Sequence, residues 1–312
     1  MRVFLAGATG AIGRHLVPLL LAEGHQVTGM TRSPERARDL QAAGAEAVVA
    51  DALDADAVRA AVVETRPEAV IHQLTAIPAR LDPRTIERDF VLTNRLRSEG
   101  TRHLVAAARE AGAQRVLAQS IAFAYAPGPS GALHAESEPL LSEQQAPKSF
   151  RRTAGALHEL EQTVLGANGI VLRYGYFYGP GSSIARDGAM ADELRRRRVP
   201  VVGRGQGVWS FIHLADAARA TVAALAHAGP AVFNVVDDDP APVAQWLPAL
   251  ARALHAPRPW RVPTLIARPL AGSYGIQTMT RVQGASNALA KRELDWQPHY
   301  PSWREGFRDG LG

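Results

Sequence analysis

Three glycines spaced three apart near the start of the chain are its first sign of a ligand-binding loop. Gly7, Gly10 and Gly13 sit in the stretch GATGAIG, directly after the apolar run RVFLA and at the opening of a helical pattern. Glycines in this context let the backbone turn tightly and approach a pyrophosphate, whose charge the N–H groups of a helix N-terminus then meet. Thr9, Ala11 and Ile12 complete the loop. Glycines alone would describe only a tight turn; the strand, turn and helix around them make a dinucleotide loop the expectation. The end of the next apolar run discriminates between dinucleotides, because a carboxylate there binds a ribose 2′-hydroxyl and repels a 2′-phosphate. The segment reads GMTRSPER. Arg32 stands where the carboxylate would be, Thr31 and Ser33 flank it as hydroxyl donors, and Arg36 follows one turn into the next helix. A guanidinium suits a phosphate by fork geometry as well as charge, so the expected cofactor is NADP(H). An exposed arginine ahead of a helix is the alternative.

A loop of this kind needs a parallel sheet to hold it. The N-terminal half supplies one by alternating short apolar runs with helical patterns. RVFLA, HQVTGM, AEAVVA, EAVIHQL, RVLAQS and the start of GIVLRYGYFYG read as strands one to six, and VFNVV as a later strand. Helices are expected near Ile12, Pro34 and Asp56, with a long one from Pro83 toward Ala111 and an amphipathic one in SFRRTAGALHELEQ. PGPSGALHAESEPL, rich in turn formers, reads as a surface loop, and Val243 to Leu254 as a helix. The expected fold class is α/β, a doubly wound parallel sheet with a smaller C-terminal substrate cap. Residues 1–172 and 208–236 would form the dinucleotide-binding domain, and 173–207 with 237–312 the cap.

Composition narrows the function classes. With 46% hydrophobic and 21% charged residues, most of the chain is expected to be globular. The absence of cysteine excludes disulfides, thiolate catalysis and Cys-type zinc sites, and no metal is expected. The opening residues lack a signal-peptide pattern and no run approaches a membrane span, so a cytoplasmic location without membrane contact is expected. The net charge of +5 comes from scattered arginines without an aromatic stacking pattern, which argues against nucleic acid. Arg195 to Arg198 should end a solvated helix. The expected partner is a small-molecule substrate, with a homodimer left open.

A further set of segments carries a family resemblance: GATGAIG, the DAL at Asp51, VIHQLTA, AQSIAFAY, LRYGYFYGPG, FIHLADAARA, FNVVDDDPAP and GASNALAKRELDWQP. The chain resembles an extended or atypical short-chain dehydrogenase/reductase of the NAD-dependent epimerase/dehydratase family. The resemblance implies a Rossmann domain with a substrate cap. It implies Asp51 and Ala52 at the adenine, Leu74 and Thr75 along the ribose and phosphates, and Tyr174 near the nicotinamide. Each has a structural alternative: Asp51 as a cap, Leu74 as core, Tyr174 packed beneath the cap.

The family's chemistry uses a Ser or Thr, a Tyr, a Lys four residues later and a supporting Asn. By the resemblance, Thr153 falls at the tyrosine position, Leu157 at the lysine and Arg97 at the asparagine, with Asn94 a turn earlier. There is no tyrosine between Tyr125 and Tyr174 to restore the pair. Ser120 remains, and the expectation is that it polarises the reacting carbonyl, helped by Tyr125 or by Tyr176. Thr153 could at most hold a water. A backbone-bonded Ser120 at the end of strand five is the alternative. Glu159 and Glu161 are expected to be solvated and His158 to lie on the surface. Relatives that act on nucleotide-sugars place an arginine where this chain has Trp209, so Trp209 and Tyr178 are expected to line an apolar pocket; core packing of the cap is the alternative for Trp209, and reach to a bound carbonyl the alternative for Tyr178. The implied activity is an NADP(H)-dependent oxidoreductase acting on a small, largely apolar carbonyl or hydroxyl compound. The rivals are an isomerase or cyclase on the same fold and a non-catalytic dinucleotide-sensing regulator.

Overall fold

The structure is a computed structural model that describes residues 1–82, 84–129 and 131–312. Seven parallel strands form the central sheet: β1 (Arg2–Ala6), β2 (Gln26–Thr31), β3 (Glu46–Val49), β4 (Ala69–His72), β5 (Arg115–Ile121), β6 (Ile170–Tyr174) and β7 (Ala231–Val235). Their spatial order is β7-β6-β5-β4-β1-β2-β3. Val3 of β1 lies opposite Val27 on one side and Ala69 on the other, so the chain reverses its direction of winding between β1 and β4. In sheets of this type, that reversal opens a crevice at the carboxyl ends of the strands.

Apart from the edge strand β3, the strands are largely buried on both faces, which explains why they read as continuous apolar runs. Leu5, Ile71, Leu117 and Leu172 face α1 (Gly13–Ala22), where Leu16 and Leu20 complete the layer. Phe4, Val70, Val116 and Val171 face the opposite way, toward Val58 and Val62 of a helix at Ala55–Thr65. Leu104 of α2 (Thr101–Glu110) and Leu160 and Val164 of α3 (Arg151–Leu165) close that side.

The long helix expected from Pro83 to Ala111 is broken. Pro83 lies outside the described residues. Short helical turns at Ile86–Asp89 and Val91–Arg95 lead into a π-helical turn at Leu96–Gly100, and only then does α2 begin. Around this turn, Ser98 Oγ donates to the Asn94 carbonyl and Thr101 Oγ1 to the Arg97 carbonyl. Such hydroxyl back-bonding competes with the regular ladder, and π-turns of this kind gather at functional sites.

The remaining segments build a third core. Tyr176–Tyr178 runs parallel to Phe211–His213, Val208–Trp209 pairs with Ala241–Pro242, and Val201–Val202 pairs with Arg261–Val262. Around them pack Trp246, Leu250, Trp303 and Phe307. A helical segment, α4 (Thr264–Thr280), crosses toward the start of α3 and is interrupted at Gly272, whose φ is +61°. The basic run behaves as expected: the helix Ala189–Arg195 ends there, with Arg195 paired to Asp192 and Arg198 to Glu193.

Candidate active site

The glycine loop leaves β1 at the crevice. Gly7 has φ +92°, and a Cβ there would come within 2.8 Å of the Gln73 carbonyl oxygen, so a side chain is excluded twice over. Gly10 N donates to the Gly7 carbonyl at 3.0 Å. A Cβ on Gly13 would run into the backbone of Gly7 and Ala8, which is why α1 can start so close beneath the loop. Ile12 is buried while Thr9 and Ala11 are partly open and Gly10 is exposed. The first turn of α1 carries no acidic residue, so its N–H groups face the crevice without a competing carboxylate.

At the carboxyl end of β2, Thr31 is buried and accepts from Ser33 N through Oγ1. Ser33 is committed to capping the following helix: it accepts from Arg36 N and donates to Glu35. Arg32 is exposed, and neither it nor Arg36 pairs with a carboxylate among the described residues. Asp51 is exposed and accepts from Leu53 N at 3.0 Å, with Ala52 buried beside Gly100. Leu74 is partly buried and Thr75 exposed. His72, ahead of them, accepts from Leu74 N on Nδ1 and so donates from Nε2 to Thr101. Burial keeps it neutral, with a pKa lowered to about 4.

Several residues expected in the site are engaged elsewhere. Ser120 is fully buried and donates to Glu161 Oε1 at 2.7 Å. Arg173 clamps both oxygens of that carboxylate at 2.9 and 2.7 Å and donates to the Tyr125 hydroxyl at 2.8 Å. Tyr125 passes its own proton to Asn234 Oδ1 at 2.6 Å, and its ring stacks on His134. Ser120 and Tyr125 are thus members of one buried polar network and cannot polarise a substrate carbonyl while it holds. Glu161, expected in solvent, is 6% exposed and is the centre of that network; Glu159 pairs with Arg102, and His158 is partly buried against the Leu141 carbonyl. Tyr174 is fully buried, its hydroxyl bonded to Thr221 and Gln73, so it offers a nicotinamide no surface. Tyr178 is a cap core residue, packed edge-on to Phe211 and Phe307, with its hydroxyl where a Cβ of residue 306 would be; Gly306 is required there.

What does meet at the carboxyl edge is an aromatic wall. Tyr176 stacks between Phe123 at 4.1 Å and Trp209 at 3.7 Å. Trp209 is fixed by donating Nε1 to the Thr278 carbonyl at 2.8 Å. On α3, Thr153 is buried and accepts from Asn94 Nδ2 at 3.2 Å, and Ala156 and Leu157 keep that face apolar. Sequence reasoning missed Tyr274 here and named Arg97 only as the residue standing in place of the supporting asparagine. Tyr274 of α4 stacks on Phe150 at 4.6 Å. Arg97, on the π-turn, is 3% exposed, and its Nη1 has no partner among the described residues. Positions 93, 97, 100 and 104 are buried along one helical face, but as Thr, Arg, Gly and Leu they do not read as an apolar stripe, so only the packed fold shows the arginine to be inside. A shallow depression lined by Gln114, Asn168 and Gly229 opens at the opposite, amino-terminal edge of the sheet and is remote from this chemistry.

A family model described as NAD dependent epimerase/dehydratase family matches residues 3–235. A 3-diazoavenalumate denitrifying reductase from Streptomyces sp is 46% identical over 310 residues, covering 98% of this chain and 99% of that protein. A 4-hydroxy-2-methyl-3-oxo-4-farnesyl-3,4-dihydroquinoline-1-oxide ketoreductase from Stigmatella aurantiaca is 28% identical over 261 residues, or 80% of this chain and 72% of that one. In three dimensions the fold is similar to a UDP-glucose 4-epimerase from Thermus thermophilus solved with NAD, with TM-score 0.75 and 24% identity over 100% and 98% of the two chains. The glycine loop, the winding of the sheet and these likenesses agree: the chain belongs to the NAD dependent epimerase/dehydratase family.

Proposed function

We propose that the chain is an NADP(H)-dependent reductase that replaces a diazo nitrogen by hydrogen on a small, planar organic anion. The observation that carries this reading is the buried, apolar face of α3, where Thr153, Ala156 and Leu157 leave no proton donor. Reducing a carbonyl requires a proton as well as a hydride, and family members obtain it from a tyrosine and lysine at these two turns. Reducing an aryl diazonium form does not. The hydride pair becomes the new C–H bond, the C–N pair leaves with dinitrogen, and charge balances without an acid. The relative at 46% identity, spanning 98% of this chain, is a denitrifying reductase of a diazo acid, which supports the same substrate class.

The residues present fit the cofactor. The cradle at Gly7, closed to any side chain, would take the pyrophosphate, and the unpaired Arg32 and Arg36 would take a 2′-phosphate. When bound, NADPH supplies the hydride. The stack of Phe123, Tyr176 and Trp209 would form an apolar wall along one side of a flat substrate, and the apolar α3 face would exclude water from the acceptor carbon. This reading replaces the expected carbonyl or hydroxyl substrate with one that carries a nitrogen leaving group, and Thr153 and Asn94 become positioning residues. The experiment compares NADPH consumption on an arenediazonium carboxylate with that on ketones and aldehydes. Enzyme-dependent turnover of the diazonium compound alone supports the reading; turnover of the carbonyl compounds alone rejects it.

A further inference from the structure

We infer that Arg97, together with the hydroxyls of Tyr176 and Tyr274, receives the anionic oxygen of the substrate, a carboxylate or phenolate on a conjugated, planar molecule. The inference rests on the reductase reading for the identity of the site and adds what recognises the substrate there.

Arg97 is the starting point because buried cations are ordinarily paired. The buried Arg173 shows how this chain does so, with a bidentate carboxylate and a tyrosine hydroxyl. Arg97 has 3% of its surface exposed and an orphaned Nη1, and no carboxylate among the described residues offsets its desolvation. Burial draws its pKa down to about 10, still far above neutrality, so it is a cation in the folded protein. An unpaired guanidinium held in this way costs stability, and a position so costly is explained when a ligand completes it.

The neighbouring groups point the same way. The hydroxyl of Tyr176 is also buried without a partner among the described residues. Tyr274 and Phe123 pack on one apolar cluster with Phe150, Ala154 and Leu157, Tyr176 stacks on Phe123, and the π-turn that carries Arg97 packs against α3, so the three side chains belong to one region although they come from the π-turn, the loop after β6 and α4. Every one of them can donate a hydrogen bond, and none is a competing anion. The walls decide what kind of anion fits. Phe123, Tyr176 and Trp209 lie in a stack, and Phe150 covers Tyr274, which favours a flat conjugated body over a hydrated inorganic ion.

The test uses binding without turnover. Protein saturated with NADP+ is titrated calorimetrically with 4-hydroxycinnamate, its methyl ester and 4-methoxycinnamate. The wild type should bind the acid, and one of the capped compounds should bind much more weakly, identifying the oxygen that Arg97 meets. Arg97→Met should weaken the acid by at least about thirtyfold, the loss expected for deleting one partner of a buried charge pair. Arg97→Lys should recover part of it, and NADP+ affinity should stay unchanged in both. Equal affinity of all three compounds, no binding of any, or an Arg97→Met variant that loses NADP+ rather than the acid would each overturn the inference. If Arg97→Met does not fold, the capped compounds on the wild type still decide. Because nothing turns over, Arg97-dependent binding without diazo reduction would reject the proposed reaction and leave the anion site standing.

Discussion

Ser120 and Glu161 share a hydrogen bond of 2.7 Å in the layer between β5 and α3, and it commits the only proton of the fully buried serine hydroxyl to the carboxylate. The carboxylate is held from its other side by Arg173, so the bond cannot be traded for a substrate contact without unpairing a buried charge. Ser120→Ala is therefore expected to act on stability. Losing a bond to a charged acceptor should cost about 1.5–3 kcal/mol by urea denaturation, with turnover per folded molecule unchanged. A large loss of rate at full stability would return Ser120 to the mechanism.

Glu161 is the more sensitive member of that pair. Glu161→Gln leaves the Arg173 guanidinium buried with a neutral partner, and removing one side of a buried pair is worth about 3–5 kcal/mol. The variant should show a much lower midpoint in denaturant, and Glu161→Gln with Arg173→Met should recover part of the loss. A destabilisation below about 1 kcal/mol would mean that the pair is open to solvent.

His72 gives the stability a pH dependence of definite sign. Its folded pKa of about 4 lies below the unfolded value of 6.5, so the unfolded chain binds the proton first as pH falls. The contribution is complete above pH 6.5 and is lost between there and about pH 4, amounting to about 3 kcal/mol. His15 and His213, whose pKa values burial also lowers, add to the same slope. His72→Gln keeps a donor and an acceptor for Thr101 and Leu74 and should flatten this window in unfolding measurements from pH 4 to 7. An unchanged slope would remove His72 as its source.

The sheet was legible because β1, β4 and β6 are buried on both faces and must read as apolar runs, and the glycine loop because Gly7 admits no side chain. The break before α2 was not, since nothing in its residue types forbids an ordinary helix and the interruption lies in how Ser98 and Thr101 bond to carbonyls. Glu161 looked like a solvated helix residue because its partner comes from β6, and only the packed fold brings the two together. Tyr125 and Tyr178 had the right type for catalysis but are spent on Asn234 and on the cap core, respectively. Arg97 gave no such signal, because Thr93 and Gly100 on the same face do not mark it as buried.

Arg32 provides the cofactor test. With no carboxylate partner of its own among the described residues, it is free to meet a 2′-phosphate, and Arg32→Asp should weaken NADPH by about ten- to a hundredfold while leaving NADH little changed. Fluorescence titration of both cofactors into both proteins reads this directly. Equal affinity of the wild type for NADPH and NADH would sink the assignment.

Isotope transfer distinguishes hydride replacement of dinitrogen without a protein acid from every route that draws a proton from solvent. With NADPH deuterated at the transferred position, in ordinary water, an arenediazonium carboxylate should give product carrying deuterium at the carbon that held nitrogen. Dinitrogen and oxidised cofactor should appear in equal amounts above a control without enzyme. Product whose new hydrogen comes from solvent, or cofactor oxidised without dinitrogen release, would contradict the account.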